Sequence, residues 1–133
     1  MQQEITETLV SFEVAELAKR KRFFVECRNY YDSDKKLCKA QYYEFDINNK
    51  TSEDSVADIL CTAPTQDLLR TWLLEIHSIH ITIFSKSQES WMYRVTKKGQ
   101  SLEEGLYGED FYSHDEAREE ALFQALNLLP DLN

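Results

Sequence analysis

The spacing of apolar residues changes along the chain, and each change marks an element. Leu68, Leu69, Trp72, Leu73 and Ile76 form the i, i+1, i+4, i+5, i+8 stripe of an amphipathic helix. Pro64 disfavours helix at Ala63, and Thr65 is placed to cap the free amides at the helix start. Asp67 sets a carboxylate in the first turn, where the helix dipole favours it. Gln66, Arg70, Thr71 and Glu75 take the opposite side, and Leu74 falls off the stripe. At His77-Ser78 the period drops to two. Ile79, Ile81 and Ile83 then alternate with His80, Thr82 and Phe84. The polar run Ser85 to Ser90 predicts a loop, and Trp91, Tyr93 and Val95 alternate beyond it. Ala63 to Val95 therefore reads as a capped helix feeding an antiparallel hairpin, with three isoleucines opposite Trp, Tyr and Val. Two strands alone are marginal in water, so their apolar face needs covering by helices and more strands.

The flanking segments repeat the theme. Ser11 is the expected N-cap of a helix from Phe12 to Lys21, acidic at its start (Glu13, Glu16) and basic at its end (Lys19-Arg20-Lys21-Arg22). Phe23 to Phe45 predicts a second hairpin. Its outgoing strand alternates from Phe24 to Tyr31, its turn is Asp32 to Lys36, and its return strand runs from Leu37 to Ile47. A polar loop, Asn48 to Asp54, follows, and Val56 to Cys61 suits a short strand or turn. Leu102 to Tyr107 suits another short strand, weakened by Gly105 and Gly108. Ser113 and Glu116 form a capping box. The helix behind it carries Ala117, Ala121, Leu122, Ala125, Leu126 and Leu129 on one face, and Pro130 ends it. The order α-β-β-α-β-β-α predicts an α+β fold: an antiparallel sheet from two hairpins, covered by about three helices, in a single domain spanning residues 1–133. The two αββ halves share no residue-level match.

Composition narrows the class. An apolar fraction of 42% suits a globular chain with a real core. No run of eighteen apolar residues exists, so no membrane span is expected. Met1 to Thr8 carries no basic region and no long apolar segment, so it does not read as a secretory signal. Three cysteines, Cys27, Cys38 and Cys61, are an odd number without metal-site spacing. Reduced cytoplasmic thiols are the expectation. The net charge of −9 sits wholly in the second half: residues 1–50 hold nine Lys/Arg and nine Asp/Glu, residues 51–133 six and fifteen. Such a field repels nucleic acid and suits a basic partner.

The candidate chemistry is thin. Glu103, Glu104, Glu109, Asp110, Asp115, Glu116, Glu119 and Glu120, against the single Arg118, form an acidic tract that could meet a basic or nucleic-acid-binding protein. The same residues also suit a solvated loop and helix face. Lys19, Arg20, Lys21 and Arg22, with Tyr30 and Tyr42 on a tyrosine-rich hairpin that adds Tyr31 and Tyr43, form the alternative surface, suited to phosphates and stacked bases. His77 and His80 straddle a helix–strand junction, and His114 lies at a helix start. No third metal ligand is evident, and the helix dipole alone accounts for His77. Cys27 and Cys38 could face one another across the first hairpin, but small buried hydrophobes are the commoner outcome. A phosphate loop, dinucleotide fingerprint, nucleophile elbow and zinc-protease motif are all missing, and only three glycines occur. The expectation is a non-enzymatic protein without cofactor or metal that binds a protein partner. A nucleic-acid-binding accessory protein is the alternative.

Four blocks carry a resemblance: Val10–Phe23 (VSFEVAELAKRKRF), Asn29–Asp32 (NYYD), Ala63–Ile81 (APTQDLLRTWLLEIHSIHI) and Phe111–Leu129 (FYSHDEAREEALFQALNLL). In this order they resemble a family of small uncharacterised proteins from genomes of gut Bacteroidales and their phages or prophages. The resemblance implies a cytoplasmic protein of phage or prophage origin and transfers no catalytic residue. Family members often have Lys-Gly-Phe after the first helix; here the residues are Lys21-Arg22-Phe23.

Overall fold

A computed structural model describes residues 8–39 and 59–130. Three helices and six strands alternate: α1 (Phe12–Arg20), β1 (Asn29–Asp32), β2 (Leu37–Lys39), β3 (Ile59–Thr62), α2 (Gln66–His77), β4 (Ile79–Ser87), β5 (Ser90–Lys97), β6 (Leu106–Phe111) and α3 (His114–Asn127). A 3-10 turn, Leu102–Glu104, precedes β6. The fold is α+β with antiparallel strands, as the pattern predicts. Each expected hairpin gains a third strand, and the strands make two three-stranded sheets, ordered β2-β1-β3 and β4-β5-β6. The first strand is central in one sheet and the second strand in the other, so the two halves are not copies of one topology.

The three helix starts are built alike. Ser11, Thr65 and Ser113 are extended N-caps, and their hydroxyls accept from the amides of Val14 (3.3 Å), Leu68 (3.0 Å) and Glu116 (3.1 Å). In the capping box of α3 the Glu116 carboxylate reaches one residue further back than expected, to the Tyr112 amide (3.0 Å). The ends are more varied. α1 closes with Arg22 in the left-handed region (φ 66), with Phe23 N–H bonding the Ala18 carbonyl (3.0 Å) and Arg22 N–H that of Lys19 (3.1 Å). That conformation favours glycine, so the arginine occupies a glycine-type position at the helix end. α2 closes on Ser78, also left-handed (φ 57).

Three local expectations change, and a further stretch lies outside the described residues. The regular ladder of the first hairpin begins at Asn29, not Phe24, because the chain leaving α1 first buries Phe23 and Cys27. The return strand is described only as far as Lys39, so the rest of Leu37–Ile47, the loop Asn48–Asp54 and residues 56–58 lie outside the described residues, while Ile59–Cys61 fall in β3, the short strand expected there. The Ser85–Ser90 loop shrinks to a turn at Gln88-Glu89, because β4 and β5 keep pairing out to Ser87↔Ser90. The third strand of the second sheet lies later than expected. Close approach explains its glycines: a Cβ on Gly105 would meet the Val95 carbonyl, and one on Gly108 the Tyr93 ring.

The helix that touches most of the molecule is α3, packed against β4, β5, β6, α1 and α2. Ala117, Ala121 and Ala125 recur every four residues and let neighbours approach closely, while Leu122 and Leu126 fill the core between them. On α2 the buried residues are Gln66, Leu69 and Leu73. Gln66, expected on the outer side, is 2% exposed, whereas Ile76, expected inside, is 64% exposed. The last turn of α2 projects past the elements that cover Leu69 and Leu73. Trp72 is half-buried, edge-on to the rings of Phe23 (5.2 Å) and His77 (4.6 Å).

Replacing Ser78 with glycine removes the left-handed penalty at the end of α2 without removing a core contact. S78G is expected to stabilise the fold by about 1 kcal/mol, and S78V to destabilise it by a similar amount or more. Urea denaturation of the two variants beside the wild type reads both signs.

Candidate functional site

The acidic tract divides into structural and exposed carboxylates. Residues 8–10 lie along the entry to α2. Leu9 bridges Thr65, the Val10 amide donates to the Pro64 carbonyl (3.0 Å), and the Gln66 amide donates to that of Thr8 (2.8 Å). This brings the start of α1 beside the start of α2, and both meet the first turns of α3. Glu119 accepts there from the Ser11 backbone N–H (2.8 Å) and from Gln66 Nε2 (3.1 Å). Gln66 Nε2 also donates to the Asp115 carbonyl (3.2 Å), and Asp115 accepts from the Thr8 hydroxyl (3.0 Å). Two positive dipole ends are thus answered by the carboxylates of a third helix. Asp115, Glu116 and Glu119 have structural work. Glu104 accepts from Ser101 (3.3 Å), and Glu120 accepts from Gln124 within its own helix (2.9 Å). Glu103 is exposed on the 3-10 turn.

Glu109 and Asp110 sit where β6 bulges. Trp91 pairs with Phe111 and Tyr93 with Gly108, so these two residues oppose Met92 alone. Asp110 takes a left-handed conformation (φ 72), one that aspartate tolerates better than most residues. Both carboxylates turn to Lys86 (2.7 and 3.6 Å), and the bond from Glu109 leads the causes that raise the lysine pKa. Beyond the bulge, Asp110, Phe111, Tyr112, Glu116, Glu119 and Glu120 line an open groove of about 410 Å³. Tyr112 is 86% exposed at its mouth. Of the eight candidate acids, the structure brings four, Asp110, Glu116, Glu119 and Glu120, into this groove with two aromatic residues. No local pattern marks the groove's aromatic half, because Phe111 and Tyr112 look like ordinary residues before a cap.

The alternative basic surface does not assemble as expected. Lys21 is only 5% exposed, and its ammonium caps the end of α3 at the Leu129 carbonyl (2.6 Å). Lys19 bonds the Leu60 carbonyl (2.5 Å). Arg20 and Arg22 are exposed. Tyr30 lies half-buried on the central strand of its sheet, and burial is the first cause that raises its pKa. Tyr42 and Tyr43 lie outside the described residues.

His77 lies edge-on to Trp72 and is not in the cleft that His80 and His114 line. Among the described residues, no three His, Cys, Asp or Glu side chains are placed to hold a metal ion. Cys27, Cys38 and Cys61 are free thiols. Across the first hairpin Cys38 faces Tyr30, not Cys27. Burial pushes the Cys61 thiol up to about 11, the opposite of what a nucleophile needs. Among the described residues, no helix is long and apolar enough to cross a membrane. Compared with protein-family models, curated proteins and solved structures, the chain matches none of them.

Two outcomes test this assignment of roles. E119A leaves the Ser11 amide and the Gln66 side chain without their acceptor and is expected to cost about 2 kcal/mol, whereas E120A should stay within about 0.5 kcal/mol, both read by urea denaturation. A thiol-reactive dye at neutral pH is expected to label Cys38 in the native protein and to reach Cys27 and Cys61 only after denaturation, read by peptide mass spectrometry.

Proposed function

We propose that this chain is a cytoplasmic protein-interaction module, not an enzyme, and that its acidic groove receives a basic segment of a partner protein. The observation that carries this reading is the pairing of carboxylates with the exposed ring of Tyr112 and the half-buried ring of Phe111, at Asp110, Phe111, Tyr112, Glu116 and Glu120. A lysine or arginine entering the groove meets ring faces and carboxylates together, and both attract a cation. The negative field of this half of the chain draws basic partners towards it. A tyrosine as exposed as Tyr112 is the kind of anchor that interfaces use. Free thiols fit a reducing compartment. The phage or prophage origin implied by the four resembling blocks belongs to the same proposal, since small acidic proteins suit the occupation of basic host surfaces.

The test is fluorescence anisotropy of a labelled arginine-rich decapeptide, supported by affinity capture from lysate with and without nuclease. Y112A and E120K are expected to weaken peptide binding roughly tenfold or more each, while reversing Arg20 and Arg22 to glutamate leaves it intact. Equal binding by wild type and groove variants overturns the reading. Partners that disappear on nuclease treatment, together with binding lost on Arg20 and Arg22 reversal, establish the nucleic-acid reading instead.

A further inference from the structure

A second cleft, of about 440 Å³, opens between α2, β4 and the start of α3. Its lining carries a charge opposite to that of the surrounding half of the chain. Arg70 and Arg118 contribute guanidinium groups, His80 and His114 imidazoles, Thr82 a hydroxyl, and Asp67 a carboxylate. Both arginines converge on one oxygen, Oδ1 of Asp67: Arg70 Nε at 3.8 Å and Arg118 Nη2 in close contact. Half of the Lys/Arg of residues 51–133 are Lys86, Lys97 and Lys98 on strand ends and turns; two of the remaining three meet here.

The arrangement differs from an ordinary structural ion pair. In the usual case the carboxylate is seated in the protein and the long basic side chain lies in water. Here the Arg118 side chain is 13% exposed, and the Asp67 side chain is 61% exposed. A guanidinium offers five N–H donors in a fixed fork, suited to a multi-oxygen anion. Among the described residues Asp67 is the one carboxylate that Arg118 reaches, and it shares a single oxygen between two cations. Burial pulls the Arg118 pKa below the usual arginine value, so its charge lacks the compensation that water would give. The other nearby carboxylate, Asp115, is 3.7 Å from His114 Nδ1 and is engaged by the Thr8 hydroxyl.

We propose that this cleft binds a small phosphate monoester, with Arg70 and Arg118 as the cationic clamp and Asp67 as an internal competitor that swings into solvent when the ligand enters. With Asp67 displaced, two guanidinium charges face the ligand, which matches the dianion that a phosphate monoester carries near neutral pH. The imidazoles of His80 and His114 and the hydroxyl of Thr82 supply further donors to the phosphate oxygens. The site is independent of the acidic groove and stands or falls separately from it.

The test is a heteronuclear NMR titration of the folded chain with glycerol 3-phosphate, inorganic phosphate and succinate, at constant ionic strength held with chloride. The expected result is saturable shifts at His80, Thr82 and His114 with both phosphates. R70A, at a half-exposed position, should weaken binding roughly tenfold or more. D67N should tighten it, because the internal competitor loses its charge; a merely structural Asp67 gives no such gain. Shifts that chloride alone reproduces, equal titration of wild type and R70A, or succinate binding as tightly as the phosphates would each overturn the proposal. Should D67N unfold, R70A against wild type decides alone.

Discussion

The rest of this structure depends on the Glu119 carboxylate. It accepts from the N-cap amide of α1 and from the first side chain of α2, while belonging to α3. A helix start concentrates unpaired amides and partial positive charge. Bringing two such ends together is unfavourable unless an anion lies between them. Glu119 is that anion, with Asp115 beside it. Once the starts are joined, the alanine stripe of α3 lies against its neighbours, and the core of Leu69, Leu73, Ile81, Val95, Leu122 and Leu126 closes around it.

This accounts for much of the acidic excess that dominates the sequence. A run of eight carboxylates among eighteen residues resembles a binding surface when read as charge alone. In three dimensions Asp115, Glu116 and Glu119 serve helix starts, Glu109 and Asp110 hold Lys86, Glu120 borders the groove at Tyr112, and Glu103 and Glu104 stay on the 3-10 turn. The basic run is similarly divided, since Lys21 is drawn inward to the last carbonyls of α3. Charge patterning reports which residues are ionised. It does not report which of them already have partners.

The legible part of the sequence was what local chemistry determines. Three hydroxyl N-caps, the change of period at Ser78 and the alternation of Ile79–Ile83 with Trp91–Val95 all left local marks, and the structure keeps them. What escaped depends on distant partners. Gln66 looks like an outward polar residue until α3 supplies its acceptors forty-nine and fifty-three residues later. Nothing in its neighbourhood marks Arg118 as buried, because Asp67 comes from another helix. The late third strand of the second sheet was obscured by its own glycines, which are there so that β5 can come close. The cleft of Arg70, His80, His114 and Arg118 is assembled from three elements and leaves no linear motif.

The bonds from Ser11 to Glu119 and from Lys21 to Leu129 each span 108 residues. The first helix therefore has both ends fastened to the last one. During synthesis α1 leaves the ribosome well before α3, which supplies the acceptors for its first amide and for Lys21. Val14, Leu17 and Ala18 must wait through that interval without the helix that anchors them. The segment from α2 to α3, whose contacts are closer in sequence, has no such delay and is free to assemble as one unit. The earlier helix is then secured only by the later one, and the rate of translation becomes a determinant of how long its apolar face is open to chaperones.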